Sequence, residues 1–141
     1  MVKSQSIILV EDDHDDKELF ESIVRELNIE NKIEWFRDAA SAYQYLSTTS
    51  DPVFIIFSDI NIPGKNGLEF KREIDANPML RKKSIPFIFY STAANKKDVD
   101  EAYIQLTIQG FFKKGNSYDE VKTLLKNIFE YWRKCKHPNS D

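Results

Sequence analysis

Short apolar runs alternate along the chain with segments whose apolar residues recur every three or four positions. Residues 7–10 form a continuous apolar run, the pattern of a strand covered on both faces. Leu19, Phe20, Ile23, Val24 and Leu27 then follow at helical spacing. KIEWF, residues 32–36, alternates, and Asp38 stands where it can cap a helix carrying Ala39, Ala42, Tyr43 and Leu46. Pro52 opens a buried run over 53–57, and a helix over 68–75 is expected to end before Pro78. Another buried run covers 85–91, followed by a helix over 96–106 and a last strand over 109–114. Val121, Leu124, Leu125, Ile128, Phe129 and Trp132 stripe the final helix, and the polar tail from 133 to 141 is expected to fray.

Five strand–helix pairs without repeats or long linkers predict an α/β fold, a doubly wound five-stranded parallel sheet with helices on both faces. The 141 residues suffice for one domain, 1–141, with its core over about 6–132. In such sheets ligands gather at the carboxyl ends of the strands, where the strand order reverses. Glu11, Asp12 and Asp13 follow the first strand and Asp59 the third, while Ser91 ends the fourth and Lys113 and Lys114 the fifth. An aspartate after a buried strand is costly unless it has work to do.

Composition narrows the partners. A net charge of −3 argues against nucleic acid, whose binders usually show a basic patch. The single cysteine, Cys135, excludes an internal disulfide or a cysteine-based metal cluster and fits a reducing cytoplasm. The first apolar run is too short for a signal peptide, and no run reaches the roughly 18 apolar residues of a membrane span. A cytoplasmic protein is expected.

Glu11, Asp12 and Asp59, brought together, raise one another's pKa unless a cation shares the site, and a magnesium ion suits a few carboxylates with phosphate oxygens. With a lysine and the Ser91 hydroxyl alongside, these are the parts for phosphoryl transfer to a carboxylate. Asp13, Asp15 and Asp16 are read instead as favouring the start of the first helix. His14 and His137 show no ligand spacing and are placed on the surface. The four glycines fall in two pairs: Gly64 and Gly67 after Asp59, Gly110 and Gly115 around the lysines.

IILVEDD, FIIFSDINIPGKNGLEF, IPFIFYSTA and GFFKKG, in that order and spacing, resemble the receiver domains of two-component response regulators. The resemblance runs from about Ser6 to Trp132 and implies the flavodoxin-like (βα)5 receiver fold. By position it implies that Asp59 is the phosphoacceptor. Glu11, Asp12 and the backbone carbonyl of Asn61 would join Asp59 in holding Mg2+. Ser91 takes the place of the switch hydroxyl, Lys114 that of the family lysine, and Phe111 that of the aromatic switch residue. One departure stands out: proline, often after a cis peptide, usually follows that lysine, and here Gly115 does, so Lys113 remains a rival for its role.

The implied function is that of a phosphoprotein in a phosphorelay. Asp59 would take a phosphoryl group from a phosphohistidine on a sensor kinase or phosphotransfer protein. That would bias the face of the fourth helix, fifth strand and fifth helix toward a protein target or a homodimer. The chain would be no turnover enzyme, catalysing only its own phosphorylation and dephosphorylation. The short tail implies a stand-alone receiver, and ANPMLRKKSIPF resembles the third-helix exit of receivers paired with sensor kinases, those of phytochrome type included.

Three other readings compete. A haloacid dehalogenase-type phosphatase would need a second carboxylate where Asn61 stands. A flavin-binding module would need Ser, Thr and Gly where Glu11 and Asp12 repel phosphate. A degenerate receiver would act as a phosphorylation-independent scaffold, and Gly115 is the feature in its favour.

Overall fold

The computed structural model describes residues 5–92 and 94–139. Its elements run β1 (Ser6–Val10), α1 (His14–Glu26), β2 (Ile33–Phe36), α2 (Ala39–Thr48), β3 (Val53–Ser58), α3 (Gly67–Ala76), α4 (Pro78–Lys83), β4 (Phe87–Ser91), α5 (Lys96–Gln105), β5 (Gly110–Lys113) and α6 (Tyr118–Lys134). All strand pairings are parallel, in the order β2-β1-β3-β4-β5, so the chain reverses its direction of travel between β1 and β3.

Alternation along the strands builds two cores. Ile8, Val10, Ile56, Phe87 and Phe89 face Ala42, Leu46, Phe70, Ile74, Leu80 and Ala102 from α2, α3, α4 and α5. Ile7, Leu9, Phe57, Ile88 and Tyr90 face Phe20, Ile23, Val24, Val121, Leu125 and Phe129 from α1 and α6. Each fully buried Leu, Ile or Phe stabilises the fold by roughly 1.5–3 kcal/mol. Every described helix begins on an Asp, Asn or Ser whose side chain accepts a first-turn N–H: Asp13, Asp38, Asn66, Asn77, Asn95 and Ser117.

Two expectations need correction. Pro78 does follow the end of a helix, but it also opens a new one. Asn77 ends α3 and caps α4, with Pro78 in the first turn, where a missing N–H costs nothing. The sheet therefore has an extra short helix before β4, and the expected fourth and fifth helices are α5 and α6.

The second correction concerns the tail. His137 is only 4% exposed. Its ring lies against Phe54 at 5.1 Å between centroids, and its Nε2–H donates to the Phe54 carbonyl at 2.6 Å. Asn139 donates through its backbone to His137 Nδ1 (3.1 Å) and through its side chain to the Lys83 carbonyl (2.9 Å). The segment straps the amino edge of the sheet; residues 140 and 141 lie outside the described residues. His14 is on the surface as expected, beside Glu18.

Candidate functional site

The carboxyl edge of the sheet carries the charged cluster. Asp59 directly follows β3, is 7% exposed, and its backbone N–H donates to the Val10 carbonyl at 3.0 Å. Its Oδ1 accepts from the Ile60 N–H at 2.6 Å, the Asn61 N–H at 3.2 Å and the Ser91 hydroxyl at 2.6 Å. Its Oδ2 accepts from Lys114 Nζ at 3.0 Å. The acceptor expected from the sequence is thus held on both oxygens by the hydroxyl and the lysine expected beside it. Gly67 makes this packing feasible: a Cβ there would collide with the Asp59 carbonyl, and its N–H donates to the Ile60 carbonyl at 2.8 Å.

Lys114 does more than reach Asp59. Its ammonium also bonds Glu11 Oε1 and, at 2.9 Å, Asp16 Oδ2, and it lies 5.6 Å from the centroid of the Tyr90 ring. Asp16 stands in the first turn of α1, as expected of an acid at a helix start, and its side chain also reaches Lys114. The signal that could have found it is weak, an acid three residues beyond the Asp13 cap. Asp13 fits its reading, accepting the Asp16 N–H at 2.9 Å. Lys113 is exposed and takes no part in the cluster.

The departure at Gly115 has a steric cause. A Cβ there would come within 2.7 Å of the Glu120 Cβ and 3.2 Å of the Val121 nitrogen. The turn after β5 presses on the first turn of α6, and any side chain would push the two apart. No described peptide bond is cis, and Lys114 is aimed without one.

Charge in the cluster is unbalanced: Glu11, Asp16 and Asp59 set three carboxylates against the one ammonium of Lys114, and the exposed Asp12 is next to Glu11 in the chain. Burial pushes Glu11 up to about 7 despite its bonds to Lys114 and the Asp13 N–H. Burial opposes the charge on Lys114, but its carboxylate partners prevail and raise its pKa above the ordinary value. Burial likewise pushes Tyr90 up to about 12.

Among the described residues no three acids, histidines or cysteines are grouped so as to hold a metal ion, and Lys114 bonds both Glu11 and Asp59. The donor chemistry still fits a hard divalent cation: all donors are oxygens, negative charge is in surplus, and Asp12 is exposed without a bond to another described residue. Asn61 lies two residues beyond Asp59 with its N–H turned toward it.

Phe111, half-buried on β5, packs on Phe89 at 5.5 Å, and its N–H donates to the Tyr103 hydroxyl at 3.0 Å. A cavity of about 320 Å³ lies away from this cluster at the amino edge. It is lined by Lys71, Asp75, Arg81, Trp132 and Pro138 among others. Its buried lysine is already paired with Asp75 at 2.8 Å. No helix among the described residues is long and apolar enough to cross a membrane.

Comparison with known proteins points the same way. The family profile of the response regulator receiver domain matches residues 7–126. Response regulator Rcp1 of Synechocystis sp. is 28% identical over 131 residues, covering 89% of this chain and 87% of its own. The crystal structure of the phosphorylated cyanobacterial phytochrome response regulator RcpA matches with a TM-score of 0.86 at 26% identity, over 96% of this chain and 99% of that one. The Mn2+-bound form of Rcp1 matches with a TM-score of 0.84 at 26% identity, over 95% of this chain and 99% of that one.

Proposed function

This chain belongs to the response regulator receiver domain family, and on that footing we propose that Asp59 accepts a phosphoryl group from a phosphohistidine of a sensor kinase or phosphotransfer protein. An Asp59 carboxylate oxygen bonds to phosphorus, the phosphorus–nitrogen bond breaks, and the electron pair leaves with the imidazole. The observation that carries this reading is the Ser91 hydroxyl and the Lys114 ammonium meeting opposite oxygens of a buried aspartate.

Each residue has a task there. Lys114 balances charge that builds on the transferring group, and its partners keep it charged through the neutral range. Ser91 exchanges its bond to Asp59 for one to a phosphoryl oxygen. The backbone N–H groups of Ile60 and Asn61 keep the carboxylate oriented. Glu11, Asp12, Asp59 and the Asn61 carbonyl would hold Mg2+, and the Mn2+-bound form of the related Rcp1 supports a divalent cation. When bound, that cation supplies compensating positive charge on the phosphoryl oxygens. The chain turns over no outside substrate; hydrolysis of its own acyl phosphate regenerates Asp59.

The output is a face. Movement of Ser91 frees space that Phe111 follows, biasing the surface of α5, β5 and α6. Ile104 (79% exposed) and Tyr103 (54% exposed) lie on that surface, where a downstream protein docks or a second copy pairs. The setting is the cytoplasm, where sensor kinases present their phosphohistidine.

Intact-protein mass after incubation with acetyl phosphate or phosphoramidate and Mg2+ tests the acceptor. One phosphoryl group should appear, and be absent without Mg2+ and from Asp59→Asn. A parent chain that stays unlabelled at every time sampled overturns the reading. The relay is tested apart from the acceptor: Ser91→Ala should bring the NMR spectra of the labelled and unlabelled states closer together around Phe111, and spectra as distinct as the parent's would disprove it.

A further inference from the structure

Trp35 stands in the second strand, outside every motif of the acceptor site, yet its indole reaches the acidic pair. Glu11 is the first residue past β1. Its backbone N–H donates to the Phe36 carbonyl at 3.0 Å, and its carbonyl accepts from Trp35 Nε1 at 2.7 Å. Two neighbouring residues of β2 therefore grip both sides of this one residue, just where the β1–β2 ladder runs out.

The ring is itself anchored on the far side of the turn. Lys17 Nζ lies 4.7 Å from the Trp35 ring centroid and the Arg37 guanidinium 5.2 Å, while the His14 ring meets it edge-on at 6.0 Å. Lys17 is held in turn by Glu18 and Glu21. The indole thus spans from β2 to the first turns of α1 and brackets residues 11–13, which carry Glu11 and Asp12. Phenylalanine would supply the packing and the cation contacts; only the indole supplies the N–H.

We infer that Trp35 is a positioning residue for the divalent cation, fixing the Glu11 carbonyl so that the Glu11 and Asp12 side chains leave the backbone in the right directions. The inference rests on the reading of Glu11 and Asp12 as cation ligands. Outer-shell hydrogen bonds of this kind hold ligating residues in register, and their loss typically weakens metal binding on the order of 10-fold or more. A purely structural tryptophan would lower stability and leave the affinity of the folded protein alone.

The two tryptophans of the chain allow a clean test. Mg2+ titrations of the parent, Trp35→Phe and Trp132→Phe are followed by the amide shifts of residues 11–13, with thermal melts alongside. Trp35→Phe should weaken Mg2+ binding by about 10-fold, while Trp132→Phe, whose ring lies at the amino edge, should bind like the parent. Saturating Mg2+ should restore parent-like phosphorylation to Trp35→Phe. In Trp132→Phe, where Trp35 is the lone emitter, fluorescence should change on Mg2+ addition with the midpoint given by the amide shifts, a measurement that stands even if Trp35→Phe fails to fold. Parent-like Mg2+ affinity in Trp35→Phe, or a Trp35 emission blind to Mg2+, overturns this inference and leaves the acceptor reading intact. A parent chain that binds no Mg2+ defeats both this inference and the cation part of the proposed function.

Discussion

The two edges of the sheet each bury a lysine among carboxylates, and they treat it oppositely. Lys71 at the amino edge and Lys114 at the carboxyl edge both have side chains 5% exposed. Lys71 pairs with Asp75, one turn along the same helix, and Asp75 is completed by the Thr107 N–H (3.1 Å) and hydroxyl (2.7 Å). Burial outweighs that single partner, so the Lys71 pKa falls below its ordinary value. Lys114 answers to Glu11, Asp16 and Asp59, drawn from two other strand ends and a helix, and its pKa rises. A local one-to-one pair is a closed structural contact. A cation outnumbered by acids from several elements leaves surplus negative charge, which favours binding of a further cation.

The largest expected effect comes from Lys114→Met. Three carboxylates would lose the only cation that bonds them among the described residues, costing about 3–5 kcal/mol of stability in urea unfolding and slowing formation of the phosphoryl adduct about 10²–10³-fold. A loss of stability below about 1 kcal/mol would place this pair with exposed ones of little worth and erase the contrast between the edges.

Asp75→Asn should cost about 1.5–3 kcal/mol near neutral pH, the usual worth of hydrogen bonds to a charged group. Burial opposes the Asp75 charge, but the bonds from Lys71 and Thr107 prevail and hold its pKa below the ordinary 3.8. The carboxylate therefore contributes stability above pH 3.8 that is lost as the pH falls through its lower folded value. Melts of parent and variant should converge over that acid range; a gap that persists would assign the effect to shape.

Gly115→Ala is expected to cost about 1–3 kcal/mol through overpacking against Glu120. It should also slow adduct formation, because the turn that aims Lys114 must move. Unchanged phosphorylation would show that the aim comes from the carboxylates alone. The smallest effect has the opposite sign: Asp59→Asn removes one acid from a cluster in which acids outnumber the ammonium and should raise the melting temperature slightly. A lower melting temperature would contradict the charge surplus and make the two edges alike.

Much of this was legible in the sequence because it lay in local patterns. Buried strands wrote themselves as apolar runs, and Asp59, Ser91 and Lys114 stood at strand ends in motifs that matched the family's. What escaped depended on side chains crossing between elements. Asp16 obeys the acid-at-helix-start rule and also serves Lys114, and the rule alone hid the second use. Pro78 marked a boundary correctly, but one Asn77 both ended and began a helix, which proline spacing cannot show. The tail looked free because it is polar; backbone carbonyls of Phe54 and Lys83, invisible in sequence, hold it.

The cluster around Asp59 also constrains the order of folding. Its contacts join residues 32, 55 and 103 positions apart, the last between Glu11 and Lys114. Contacts of such span form slowly, because chain closure must come before their reward. Lys114 directly follows β5 and its N–H donates to the Ser91 carbonyl at 2.9 Å, so its place in the cluster depends on β5 lying beside β4. Without β5 in place, Asp59 and Glu11 would face each other without the ammonium that bonds both. Under the proposed function, competence to take phosphate would depend on the docking of an edge strand, since β5 delivers the one cation that Asp59 bonds among the described residues.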